Sequence, residues 1–114
     1  MNDDTYKYSL ILMVFNMKEE KFLKCIVDKH RRQIVECLGN NEKCVNEIIE
    51  LTNLEQTLVS FHLKSLKNCG LINSRRNGKK IMYRTSHPAV IDILNFIKER
   101  SSEIPDLTKC EECK

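Results

Sequence analysis

Two short β-type segments interrupt an otherwise helical pattern, and they are joined by Asn77-Gly78. Asn-Gly between such segments is among the strongest hairpin signals, because both residues tolerate a positive φ. The pattern predicts strands over 71–76 and 80–85. A chain of 114 residues has room for one domain, so the hairpin and the helices must share a single core.

Helical periodicity lies on both sides of this hairpin. Apolar residues at helical spacing predict helices over about 18–38, 44–51, 55–68 and 88–101. Gly39 and Gly70 end two of them, and Pro88 suits the first turn of the last. Residues 1–17 are interpreted as a short helix, although Val and Ile there suit a strand equally well. Helix, helix, turn, helix, hairpin, helix is the order of a winged helix-turn-helix, a mainly α fold with a small β-hairpin wing.

Acidic residues are absent from 56–91, whereas seven lysines and arginines lie in that stretch. The whole chain has 19 Lys+Arg and 16 Asp+Glu, so the remainder holds 12 cations and 16 acids and is net −4. A face that is merely solvated normally mixes charge signs. The segment of one sign therefore indicates a surface that binds a polyanion.

Double-stranded DNA is the polyanion that this fold binds, with the helix from Gln56 in the major groove and the hairpin along the backbone. Short polar side chains early in that helix can read bases, and cations on the hairpin can bind phosphates. The predicted DNA contacts are Gln56, Thr57, Ser60, His62, Lys64, Arg75, Arg76, Lys79 and Lys80. The alternative for His62 is a helix-surface histidine with a local structural bond. Phe61 receives no role from the sequence.

The chain composition also predicts how the protein is organised. Pro105 ends the last helix, so we expect a DNA-binding and dimerisation domain over 1–104 and a flexible cysteine-containing tail over 105–114. A modest hydrophobic content of 41% is typical of small domains that complete their core as homodimers. No apolar run approaches the roughly 18 residues of a membrane span, and Asp3 and Asp4 disfavour a signal peptide. We therefore expect a cytoplasmic protein with no membrane partner and with its six cysteines reduced.

Three segments carry a resemblance to a known family. Residues 54–72, LEQTLVSFHLKSLKNCGLI, resemble the recognition segment of the ArsR/SmtB metalloregulators, whose usual form is LSQSxVSxHLxxLxxAGLV. Residues 28–38 resemble the family's DPTRxxIL helix, and residues 42–48, EKCVNEI, are similar to its ELCVCxL metal-binding box. The resemblance covers about residues 22–97.

The resemblance implies a homodimeric repressor that holds a palindromic operator and is released by a soft metal or metalloid. The first and last helices would form the dimer interface. No phosphate loop, cofactor fingerprint or active-site cysteine pattern is present, so we expect neither an enzyme nor a catalytic cofactor. Two departures matter: Glu55 replaces the Ser that caps the recognition helix, and Asn46 replaces the second Cys of the metal box.

Three cysteines form the predicted metal site. Cys44 lies at a helix start with Glu47 three residues on, as in a capping box, and helix-end amides favour a thiolate. Cys110 and Cys113 form a CxxC in the tail. Together these thiolates would make a trigonal sulfur site, which suits As(III), Sb(III), Cd(II) or Pb(II) better than Zn(II). The site could form within one subunit or, as in related cadmium/lead sensors, between two.

The other cysteines and histidines are assigned structural roles. Cys25 and Cys37 fall on an apolar helix face and are expected to be core thiols, and Cys69 replaces a small Ala. His87 is expected to cap the last helix, which has too few histidines for the zinc site that some family members carry there. A redox variant of the family pairs a thiol on the second helix with one near the C-terminus. A thiol-redox or persulfide-sensing repressor using Cys37 is therefore the alternative function.

Overall fold

The computed structural model describes residues 18–107, which form five helices around a small antiparallel sheet. The elements are α1 (18–26), α2 (Lys29–Leu38), β1 (Lys43–Cys44), α3 (Val45–Thr52), α4 (Gln56–Cys69), β2 (Ile72–Asn77), β3 (Lys80–Thr85) and α5 (Pro88–Ser101). The predicted winged helix-turn-helix architecture is confirmed. The predicted helix over 1–17 lies outside the described residues, as does the cysteine pair of the tail.

A break between α1 and α2 replaces the single helix expected over 18–38. Asp28 takes an extended conformation, and its Oδ1 accepts hydrogen bonds from the amides of His30 at 2.8 Å and Arg31 at 3.1 Å. Arg32 Nη1 donates to the carbonyl oxygen of Ile26, the last residue of α1, at 2.6 Å. Aspartate caps a new helix better than it continues an old one, because its carboxylate satisfies free first-turn amides.

The core is assembled from the apolar faces of the helices. Its buried side chains include Ile34, Val35 and Leu38 of α2, Ile48 of α3, Val59, Leu63 and Leu66 of α4, Ile72 of β2, and Val90 and Leu94 of α5. The α4 members are spaced three or four residues apart, so they occupy one face of the helix. The opposite face of α4 therefore points away from the core.

The hairpin forms as predicted, with its turn one residue later than the Asn-Gly pair suggested. Asn77 pairs with Lys80, so Gly78 and Lys79 are the two turn residues. Gly78 has φ 65°, and Lys79 is not among the residues with positive φ. Glycine at the first central position is the pattern of a type II′ turn, which matches the twist of paired strands.

A third strand, which the sequence did not predict, joins the outer side of the hairpin. In β1, Lys43 pairs with Tyr83 and Cys44 pairs with Met82, giving the sheet order β1-β3-β2. A strand of two residues is too short to produce a period of two in the sequence. Through this pairing, the residue that starts α3 is hydrogen-bonded to the wing.

The helix ends agree with the sequence analysis. Glu55 precedes α4 and makes no side-chain capping bond, while Gly70 ends that helix in the left-handed region at φ 84°. His87 caps α5, because its Nδ1 accepts a hydrogen bond from the amide of Ala89 at 3.0 Å. None of the helices between residues 18 and 107 has the length and apolarity that a membrane crossing requires.

Candidate nucleic-acid interface and thiol sites

The outward face of α4 carries four of the five DNA-contacting residues that were predicted on this helix. Gln56, Thr57, Ser60 and Lys64 are all exposed. They recur at intervals of three or four residues, so they form one stripe along the helix. The stripe contains no acidic side chain, and it presents hydrogen-bonding groups and one cation to solvent. This is the arrangement that a helix needs to approach base edges and phosphates.

His62 is not part of this stripe, so its predicted base contact is wrong. Only 4% of the residue is exposed, and its Nε2 lies 3.8 Å from Oδ1 of Asp28. Its ring also faces His30, with the ring centroids 5.9 Å apart. Position 62 lies beside Leu63 on the buried face of α4, and this is why it turns inward. His62 therefore fastens the reading helix to the start of α2.

Burial determines the charge state of His62. Desolvation lowers the pKa of the imidazole, and the carboxylate of Asp28 opposes this effect only in part. The nearby cation of Arg31 and the ring of His30 act in the same direction as burial. The buried Nδ1 has no hydrogen-bond partner among the described residues. The fold is therefore built around a neutral His62.

The wing cations divide into two groups. Arg76, Lys79 and Lys80 are exposed at the end of the hairpin. Arg75 is instead paired: its Nε lies 2.6 Å from Oε2 of Glu42, and its Nη2 donates to Oε1 at 2.9 Å. This hydrogen-bonded pairing raises the pKa of Arg75 and lowers the pKa of the Glu42 carboxyl. Arg75 thus holds the wing to the segment before β1, so it is not free to bind phosphate as predicted.

Cys44 has the local setting that the sequence predicted. It is the N-cap of α3, 6% exposed, and its amide donates to Oε1 of Glu47 at 3.1 Å, which confirms the capping box. The structure adds an open cavity of about 270 Å³ between the start of α3 and the wing. Its lining includes Cys44, Lys79, Lys80 and Tyr83. The thiol-bearing residue and two wing cations therefore border the same space.

Cys25 and Cys69 are joined by a disulfide, which corrects the expectation that both are separate reduced thiols. The bond links α1 to the last residue of α4 and closes a sequence separation of 44 residues. Cys25 is buried as predicted, with 1% exposed. Sequence spacing gives no information on which cysteines pair, so a tertiary contact between two helices was needed to reveal it.

The remaining described thiol belongs to Cys37. It is free and half-buried, and burial raises its pKa. It borders a cavity of about 410 Å³ together with Glu36 and Leu51. Between residues 18 and 107, no group of three or more His, Cys, Asp or Glu side chains is placed to hold a metal ion. A sulfur site at Cys44 therefore needs donors from beyond residue 107, where Cys110 and Cys113 lie.

Apolar side chains are exposed on α1 and α5. They are Leu23 and Val27 of α1, and Ile93, Phe96 and Ile97 of α5. Leu23 and Ile93 line one cavity of about 440 Å³, so the two helices meet there. Apolar surface of this kind at the meeting of two helices is typical of a subunit interface.

Comparison with known proteins identifies the family. A model of bacterial regulatory proteins of the arsR family matches residues 28–74, from the cap of α2 to the middle of β2. The arsenical resistance operon repressor of Staphylococcus xylosus is 34% identical over 77 residues, which are 68% of this chain and 70% of that protein. The chain belongs to the ArsR family. Its members are DNA-binding transcriptional regulators, so the prediction that the chain is not an enzyme is confirmed.

Two further comparisons extend this result. A probable mercury resistance operon repressor of Streptomyces lividans is 31% identical over 74 residues, which cover 65% of this chain and 59% of that repressor. The homodimeric winged helix-turn-helix DNA-binding domain of a possible ArsR-family regulator from Mycobacterium bovis superposes with a TM-score of 0.73. At 24% identity, over 82% of this chain and 87% of that one, the latter likeness shows the fold.

The neutral burial of His62 predicts a loss of stability in mild acid. The unfolded chain takes up a proton near pH 6.5, whereas the folded chain resists protonation, so the free energy of unfolding should fall as pH drops from about 7.5 to 5.5. Urea unfolding at several pH values measures this slope. The variant His62→Gln should show a flatter slope over the same interval, and His87→Gln, which alters an exposed cap, should keep the slope of the wild type. A slope that is equal in wild type and His62→Gln would contradict the assignment.

Proposed function

We propose that the protein is a homodimeric repressor that binds double-stranded operator DNA and is released by a thiophilic metal or metalloid. The observation that carries the DNA-binding part is the acid-free stripe of exposed α4 residues, continued in sequence by the exposed cations of the wing. Such a helix fits the major groove, and such a hairpin fits the flanking backbone. Binding to operator DNA is also the reason to place the protein in the cytoplasm.

Two copies are needed for the proposed DNA-binding unit. One α4 presents a single reading surface, while a two-fold pair presents two that can match successive major grooves of a palindrome. The exposed apolar residues of α1 and α5 supply a surface whose burial would stabilise such a pair. This agrees with the homodimeric state of the Mycobacterium bovis domain.

The two arginines of the wing should differ in the salt dependence of DNA binding. Arg76→Gln should flatten the dependence of log K on log salt by about 0.9 for each phosphate that the protein no longer neutralises, or roughly twice that per dimer. Arg75→Gln should change this salt slope less, because its guanidinium is already paired with Glu42. Fluorescence anisotropy with operator DNA over a range of salt concentrations measures both slopes.

The matched control for these variants is Lys24→Gln, which removes a cation from α1, outside the acid-free segment. The salt slope of Lys24→Gln should equal that of the wild type. If Arg76→Gln keeps the slope of the wild type, the wing does not bind phosphates in the way proposed.

For the inducer, we infer a thiolate site built from Cys44, Cys110 and Cys113. Cys44 is a free thiol at the N-terminus of α3, next to an open cavity, and the tail contributes the two further donors that a trigonal site requires. Relatives that repress arsenical and mercury resistance operons support a soft metal or metalloid as the ligand. As(III), Sb(III), Cd(II) and Pb(II) are the ions of this class that we propose, with Zn(II) as the weaker fit.

The position of Cys44 suggests how such an ion would weaken DNA binding. An ion held there lies beside Lys79 and Lys80, two of the cations that would otherwise bind phosphate. It also acts on β1, whose pairing with β3 sets the position of the wing, and on α3, which packs against α4. A coupling of about 1–3 kcal/mol, which is a 5- to 150-fold loss of DNA affinity, is typical of such switches.

Serine variants test the thiolate site. Cys44→Ser, and separately the pair Cys110→Ser with Cys113→Ser, should bind operator DNA with nearly the affinity of the wild type but should no longer be released by the inducer. Reduced protein is titrated with arsenite, cadmium, lead and zinc, while sulfur-to-metal absorbance and operator anisotropy are followed together. Cys37→Ser is the matched control and should retain release. Release that survives in both groups of variants would show that the site lies elsewhere.

The disulfide supports a second candidate function, a repressor that responds to thiol oxidation. Two thiols at Cys25 and Cys69 would give up two electrons and two protons to a hydroperoxide, forming the sulfur–sulfur bond, one alcohol and one water. The bond joins the end of α4 to α1, and α1 carries part of the proposed subunit interface. Oxidation would therefore link the position of the reading helix to the geometry of the dimer.

This second function predicts a difference between the two redox states. Peroxide-treated and dithiol-reduced wild type should differ at least about fivefold in operator affinity, whereas a Cys25→Ser, Cys69→Ser protein should show no difference. Mass spectrometry after alkylation counts the free thiols in each sample, and Cys37→Ser serves as the control that keeps the response. Closing this loop should also stabilise the fold by about 4 kcal/mol. Greater stability without a change in affinity would make the disulfide a structural cross-link only.

A further inference from the structure

An exposed phenylalanine lies in the middle of the polar stripe on α4. The residue is Phe61, and it is 60% exposed. Thr57 lies one turn before it and Lys64 one turn after, and both are exposed. Among the described exposed residues of α4, Phe61 is the one large apolar side chain. Leaving an aromatic ring in water is unfavourable, so its position on this stripe calls for a partner that covers it.

The neighbouring residue restrains the ring of Phe61. It meets the ring of His62 edge to face, with centroids 5.4 Å apart and planes at 70°. His62 is itself buried beside Asp28 and cannot move freely. An aromatic pair in this geometry is favourable, so Phe61 is held outward before any partner arrives. A side chain restrained in this way loses less conformational entropy on binding than a free one does.

The surroundings of Phe61 select the kind of partner. The stripe has cations and no acids, which matches the charge of a nucleic acid. On the floor of the major groove, guanine, adenine and cytosine present hydrogen-bonding groups, and thymine adds a C5-methyl group. This methyl is the apolar group that the groove offers to an aromatic ring. The polar neighbours Thr57 and Ser60 and the cation of Lys64 do not supply an apolar contact of comparable area.

We propose that Phe61 reads a thymine methyl in each half-site of the operator. The inference rests on the proposed function, because it requires that α4 lies in the major groove. It makes Phe61 a specificity-determining residue for one base pair per half-site, next to the hydrogen-bonding residues Gln56 and Ser60. Phosphate contacts by the wing would supply affinity at any sequence, whereas Phe61 would supply preference for thymine at one position.

The test removes the methyl group without removing the base. The operator half-site is first obtained by selection from random duplexes, and each of its thymines is then replaced in turn by deoxyuridine. For the wild type, one position per half-site should weaken binding by about fourfold, and replacing it in both half-sites should weaken binding by about sixteenfold. The variant Phe61→Ala should bind the thymine duplex more weakly and should be indifferent to deoxyuridine at that position.

Two controls accompany this comparison. Ile81→Ala removes an exposed apolar side chain from the wing, and it should keep the full deoxyuridine penalty of the wild type. Light scattering of Phe61→Ala should give the same subunit number as the wild type, because the residue lies on α4 rather than on α1 or α5. The deoxyuridine series on the wild type needs no variant, so it tests the proposal even where Phe61→Ala is poorly folded.

Three outcomes would overturn the proposal, and they are distinguishable. Wild type that binds thymine and deoxyuridine duplexes equally well shows that no methyl is read. A penalty that is the same in Phe61→Ala and wild type shows that another residue reads it, and a change of subunit number in Phe61→Ala assigns Phe61 to an interface between copies. Wild type that binds no duplex at any salt concentration removes the proposed function, and the inference with it.

Discussion

The amphipathic period of α4 is the constraint on which the rest of the structure depends. Val59, Leu63 and Leu66 are placed in the core, so the rotation of the helix about its own axis is determined by hydrophobic burial. That rotation turns His62 inward and Phe61 outward, although they are neighbours in sequence. Which residues can meet DNA is therefore decided by packing on the opposite side of the helix.

The wing depends on two attachments outside the hairpin. β1 adds its short ladder to β3, and the Glu42–Arg75 pair joins β2 to the segment that leads into β1. An exposed pair of this kind adds little to the stability of the fold, but it holds two loops in one geometry. Both attachments lie within three residues of Cys44, so chemistry at that thiol acts where the wing is joined to the helices.

Local signals account for the part of the structure that the sequence predicted. The glycines, Pro88, the Cys44–Glu47 capping box and the apolar periods depend on neighbours within a few residues, and they placed the hairpin and four helix ends correctly. The Asp28 break, the burial of His62, the pairing of Arg75 and the Cys25–Cys69 bond were missed. In these cases the deciding partner is a tertiary contact or, for Asp28, a local cap that competes with a continuous apolar period.

The cysteines divide between two regulatory chemistries by position. The cross-link occupies Cys25 and Cys69 at the α1 end of α4, whereas Cys44 remains a free thiol beside the wing. A metal at Cys44 and an oxidation at the cross-link would therefore act on different ends of the same reading unit and would not compete for sulfur. Because each can shift the dimer independently, their effects on DNA affinity would multiply when both operate, and they would couple only through the packing of α3 against α4.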